Sequence, residues 1–168
     1  MSDTYRLRPP FHGDEKSTTH GFLEFQRETL LWKCAGLSEE QLRARPTSSS
    51  LTLLGLVKHL AFVERQWFQY VMAGRDVYIP WHHDNSDADF RIEPDDTGEG
   101  IIDFYKKETA LSDEIIGYYG MDDLAAWYQD DERRRSLRWI MGHMLEETAR
   151  HCGHADIIRE TLDGMVGE

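Results

Sequence analysis

The chain has 168 residues, 40% of them apolar and 11% aromatic, and its 19 basic against 31 acidic side chains leave a formal charge of −12. That length supports one good hydrophobic core but not two, and the apolar and aromatic content excludes a disordered chain. So negative a balance argues against nucleic acid or an anionic membrane as partner. With no eighteen-residue apolar run and no basic-then-apolar start, the expectation is a soluble, cytoplasmic protein.

Residues 1–17 carry Pro9, Pro10 and Gly13 without a usable period and read as an extended lead-in. A first helix is predicted over 18–35, with Leu23, Leu30, Cys34 and Leu37 marking its buried side and Gly36 near its end. Ser38 stands three residues before Gln41, a capping-box spacing that predicts a short helical turn, and Pro46 stops it. The run Thr47-Ser48-Ser49-Ser50 offers N-cap hydroxyls for a second long helix over 51–72, whose stripe is Leu53, Leu56, Val57, Leu60, Val63, Trp67, Phe68 and Val71.

From 74 to 100 the chain is irregular, with Pro80, Pro94 and Gly98 and two acidic pieces, 84–89 and 93–96. Loops of this length inside a compact domain are often functional. The aromatics Tyr78, Trp81 and Phe90 imply that this one packs over something. A third helix follows over 101–119, with Ile101, Phe104, Tyr105, Leu111, Ile115 and Tyr119 inward, and then a polar connection over 121–134 anchored by Trp127 and Tyr128. The last helix spans 136–162, SLRWIMGHMLEETARHCGHADIIRETL, and ends at Asp163-Gly164. Four long amphipathic helices and one short turn predict an all-α, up-down four-helix bundle, a single domain over 1–168 with long irregular connections.

Glu147 and His151 lie at the edge of the last helix's apolar stripe, four residues apart and therefore on one face. A carboxylate and an imidazole so placed can hold one metal ion, or can form an ordinary helical pair worth about 0.2–0.5 kcal/mol. His59, three residues after Leu56 and four before Val63, points at the core of the second helix. It needs a partner there, either a buried acceptor or a metal. Three metal-competent side chains on inward faces of two long helices favour a shared divalent cation, which would also neutralise a carboxylate buried in an apolar seam. His154, three residues beyond His151, is a candidate fourth ligand, outer partner or proton donor, and His143, one turn before Glu147, competes for the same roles. His12, His20, His82 and His83 fall in loops or at a helix entry, though the pair His82-His83 belongs to a loop able to close over a bundle-end pocket. Cys34 and Cys152, each inside a predicted helix, read as reduced core thiols.

Over nearly its whole length the chain resembles the DinB-like metal-binding four-helix family, and most closely its mini-circle-protein branch. The resemblance runs through GLSEEQLRARPTSSSLTLLGLVKHLAFVERQWF, PWHHDNSDADF and LRWIMGHMLEETARHCGHADIIRETLDG. It implies His59, Glu147 and His151 as metal ligands, with Glu147 departing from the three-histidine pattern toward that of thiol-dependent maleylpyruvate isomerases. It further implies a metal at one end of the core with an open position, and chemistry with low-molecular-weight thiols, by isomerisation or S-transfer. Zinc is the ion expected for such ligands, with nickel and iron as alternatives. The leading expectation is a metal- and thiol-dependent transferase or isomerase acting on a small molecule, with Trp81 and Arg150 contacting substrate or thiol and His154 or His143 moving a proton. A metal-dependent hydrolase and a non-enzymatic metal-binding or stress-response module stay open, as does pairing into a homodimer.

Overall fold

The structure is a computed structural model and describes residues 6–80, 85, 87–127 and 133–167. Among these it is all-helical: α1 (Glu15–Cys34), α2 (Glu39–Arg43), α3 (Leu53–Glu64, continued in π geometry over Arg65–Met72), α4 (Gly98–Tyr118) and α5 (Leu137–Asp163). Every helix starts on a side-chain cap. Asp14, Ser38, Thr52, Thr97 and Ser136 each accept from a backbone N–H three residues on, and Ser38 forms the full capping box with Gln41. α5 ends on Gly164 at φ 74°, a left-handed cap that glycine adopts without strain.

The all-α bundle is as expected, and the directions of the helices add something that spacing alone does not give. Pairings from Glu15 to Arg138, Gln26 to Cys152 and Lys33 to Asp156 show α1 and α5 running parallel. Lys58 to Asp96, Phe62 to Phe104 and Arg65 to Glu108 show the same for α3 and α4. Arg27 on Glu64 and His59 on Glu147 set the two pairs against each other. The order is thus up, down, down, up instead of strict alternation. The reason lies in the 73–97 connection: two parallel neighbours require the chain to travel back along roughly 30 Å of α3 before α4 can begin. That return path carries the loop past the middle of α3, where His59 stands.

Two apolar clusters fill the bundle. One gathers Leu30, Leu42, Leu53, Leu56, Leu60, Ile101, Tyr105, Ala155 and Ile158, and the other Leu23, Val63, Phe68, Met72, Ile115, Leu137, Ile140 and Met144. Between them runs a buried polar layer. Arg27 binds both carboxylate oxygens of Glu64 at 2.7 and 2.6 Å, and also reaches Asp113 at 2.8 Å. In a neighbouring layer Glu108 accepts from Arg65 and from Gln69. Thr52, buried at the head of α3, accepts from Gly55 N at 2.9 Å. Thr52→Ala is expected to cost about 1 kcal/mol and to lower the melting temperature by roughly 2–4 °C, measurable by thermal unfolding with Thr52→Ser as the control that keeps the hydroxyl.

Candidate metal centre

α3 and α5 cross with His59 facing Glu147 and His151. His59 Nε2 and His151 Nε2 each lie 3.2 Å from the same Glu147 oxygen, and one donor atom from each of the three residues falls within 4.8 Å of the others. His59 and His151 are buried and Glu147 is half-buried. The imidazoles meet edge to face at 4.7 Å and 70°. Tetrahedral coordination at zinc distances places neighbouring donor atoms about 3.3 Å apart. The two 3.2 Å separations are therefore already those of two edges of such a polyhedron.

The outer contacts favour ion binding too. His59 Nδ1–H donates to Asp89 Oδ2 at 2.5 Å, which leaves Nε2 to face the cluster. His154 Nδ1 lies 3.2 Å from His151 Nδ1, so His154 stands behind His151 as an outer partner and not among the converging atoms. Burial alone would lower the His59 pKa, but the hydrogen bonds and charges of Asp89 and Glu147 outweigh it and raise the pKa. Hydrogen bonds from His151 and His59 hold Glu147 far below the usual carboxylate range. Burial, with the neighbouring charges of His151 and Arg150, lowers His154. Two carboxylates thus flank His59, and their charge calls for a cation: a proton on the ring, or a metal ion in its place. Two imidazoles and one carboxylate, two of them steadied from behind, are a donor set that fits a divalent ion of the zinc type.

His143 stays apart from this cluster. It stacks on Trp139 at 5.3 Å and 18° and meets Trp67 at 4.8 Å, an aromatic shelf one turn from Glu147 with Trp139 half exposed. Arg150 points to solvent and pairs with Glu146. Trp81, His82, His83 and Tyr128 lie outside the described residues. Arg159, also basic and on α5, is spent on the backbone oxygens of Lys33 and Ala35 at the end of α1. Both cysteines are buried free thiols, their pKa values pushed up to about 12, chiefly by burial. A second grouping, His20, Glu24 and Asp113, already has its cation, because Arg27 Nη1 reaches Glu24 at 2.5 Å and Asp113 at 2.8 Å.

Asp89 and Phe90 are the residues that sequence reasoning did not place at the site. Phe90 lies flat on His59, with centroids 4.0 Å apart and 13° between planes. The loop aromatic signalled that something was covered, while Asp89 was indistinguishable from its acidic neighbours.

A family model for mycothiol-S-transferase matches residues 18–164. The chain belongs to that family. Membership of the mycothiol-S-transferase family gives it a thiol-dependent, S-transferase-like function in coarse terms. No curated protein matches the sequence. Among solved structures, the crystal structure of the conserved protein of locus from Enterococcus faecalis is similar with a TM-score of 0.65 at 13% identity, covering 92% of this chain and 100% of that one. At that identity the likeness is one of fold. No helix among the described residues is long and apolar enough to cross a membrane.

Proposed function

We propose that this member of the family is a metal-dependent transferase that activates a low-molecular-weight thiol, mycothiol or a relative, by removing its S–H proton. The intact thiolate is then joined through sulfur to a small electrophile, whose leaving group or opened π-bond takes up that proton. His59, Glu147 and His151 hold the ion in this reading, with zinc the ion that suits them. The observation that supports it is the convergence of those three donor atoms on one another, with Asp89 and His154 behind the two imidazoles. When bound, a divalent ion with three protein ligands supplies a Lewis acid with an open position, able to bring a thiol's pKa toward neutrality.

The side chains have separate tasks. His59 must offer the Nε2 lone pair, and Asp89 fixes that tautomer by accepting from Nδ1. His151 must do the same, so its proton sits on Nδ1 and is donated to His154 Nδ1. His154 then carries its own proton on Nε2, and its lowered pKa keeps it neutral and able to accept. In the ion-free protein the Nε2 protons of His151 and His59 keep Glu147 ionised, and a bound cation would take over that role. The stacked rings of Trp139 and His143, with Trp67 edge-on to His143 one helical turn before Glu147, offer an aromatic surface for the substrate body in this reading, with the His143 imidazole as its proton acceptor. The same open position would accept water, and family membership is what turns the reading from hydrolysis to thiol transfer.

Elemental analysis of protein purified without an affinity tag, paired with a thiol-consumption assay using mycothiol and a chromogenic electrophile, tests this reading. Wild type is expected to carry near-stoichiometric zinc and to consume thiol, and His151→Ala is expected to lose both. Equal metal content in the two proteins, or none in wild type, would sink it.

A further inference from the structure

We propose that the turn around Asp89 and Phe90 is a positioning clamp for His59, that Asp89 is its positioning residue, and that Gly55 is the seat that lets the clamp close. Three contacts in consecutive register tie this turn to two successive residues of α3. Asp89 Oδ2 accepts from His59 Nδ1 at 2.5 Å, and the Asp89 side chain is only 4% exposed. The Phe90 ring covers the face of that same imidazole. Lys58, beside His59, donates to Arg91 O at 2.7 Å and to Asp96 at 2.6 Å. One turn earlier on the same face, Gly55 brings its backbone against the loop: a Cβ there would stand 2.8 Å from Phe90 O and 3.0 Å from Thr52 Oγ1. The first of those atoms belongs to backbone and cannot rotate aside.

Glycine is the poorest helix former after proline, and Gly55 is buried in the first turn of α3 with no positive φ that would require glycine's conformational range. Close approach of the loop accounts for it. An imidazole held on one edge by a carboxylate and on one face by a ring cannot flip about χ2 or exchange tautomers. The clamp therefore fixes where Nε2 points, and Phe90 also meets the His151 ring at 5.9 Å. This consequence for metal affinity rests on the proposed function, whereas the effect on the His59 ring does not.

Gly55→Ala in the full-length protein tests the clamp with two readouts. The first, in chelator-treated protein, is the His59 Nδ1 proton seen by 1H–15N NMR. That proton is present in both the neutral, Asp89-bonded tautomer and the imidazolium, and should be downfield and protected from exchange in wild type. The second is zinc affinity against a chromogenic chelator. Gly55→Ala is expected to lose the protected proton to exchange and to weaken zinc binding by about 10–100-fold, the range for losing an outer-shell partner. A protected proton and wild-type affinity in Gly55→Ala would overturn the proposal. Should that variant fail to fold, Asp89→Asn decides: an upfield shift with weaker zinc binding supports the clamp, and an unchanged proton overturns it. Loss of the proton in Gly55→Ala when even wild type holds no zinc would support the clamp and refute the metal reading, so the two failures are distinct.

Discussion

Glu147→Gln is expected to weaken zinc binding by well over the tenfold to hundredfold that losing an outer-shell partner costs. The substitution keeps shape and removes the only charged donor of the three, the one whose oxygen lies 3.2 Å from both imidazoles. Competition with a chromogenic chelator reads the change, and an affinity within about tenfold of wild type would remove Glu147 from the ligand set. The same variant should alter the pH profile of ion-free protein. Glu147 has a folded pKa depressed from 4.5, so its contribution to stability is present above that value and disappears as pH falls through the folded pKa. His59 has a folded pKa raised from 6.5, so its contribution is complete below that value and disappears as pH rises through the folded pKa. Chelated wild type should therefore be stablest between about 4.5 and 6.5 as far as this pair decides. Glu147→Gln should lose the acid limb and flatten the alkaline one, leaving what Asp89 sustains. Urea unfolding from about pH 2 to 9 shows this, and a profile unchanged by the substitution would contradict it. Zinc-loaded wild type should show the opposite alkaline trend, since protons compete with the ion for His59 and His151.

Arg27→Met is expected to be the most damaging single change away from the site, at about 3–5 kcal/mol, or roughly 10 °C in melting temperature for a chain of this size. Arg27 and Glu64 are almost wholly buried and joined by two short bonds. Burial works against the guanidinium's charge, but the charge and hydrogen bonds of Glu64 more than offset it and keep Arg27 protonated. Removing the arginine strands a buried carboxylate near Tyr105. Replacing both partners, Arg27→Met with Glu64→Leu, removes that penalty and should recover most of the loss. Urea melts of the two single variants and the double variant settle it: a double variant no more stable than Arg27→Met alone would show that the pair is not the origin of the effect.

The difference between what could be read from the chain and what could not is physical. His59, Glu147 and His151 announce themselves because helical periodicity assigns a direction to every side chain, so polar groups on an apolar face stand out. The caps at Ser38 and Gly164 are legible for the same local reason. Asp89 sits in a stretch with no period, among other acids, and its partner is thirty residues away in sequence. Glu64 and Arg27 look like ordinary charges on amphipathic helices until the packing of α1 on α3 encloses them. The π geometry over Arg65–Met72, where Arg65 and Gln69 reach Glu108, replaces the α-helical continuation expected from an unbroken apolar stripe, a difference that apolar spacing does not register. Helix direction was present only indirectly, in the length of the 73–97 connection.

The inertness of Cys34 and Cys152 has a bearing on sulfur chemistry as a whole. Both thiols lie in the packed interior and stay protonated far above physiological pH, and Cys152 spends its S–H on Gln26 O. A reactive electrophile meeting this protein finds no thiolate that the chain itself can donate. The fold thus keeps its own cysteines from becoming victims or rivals of the reaction, so that any sulfur atom transferred must arrive as a guest and leave with the product.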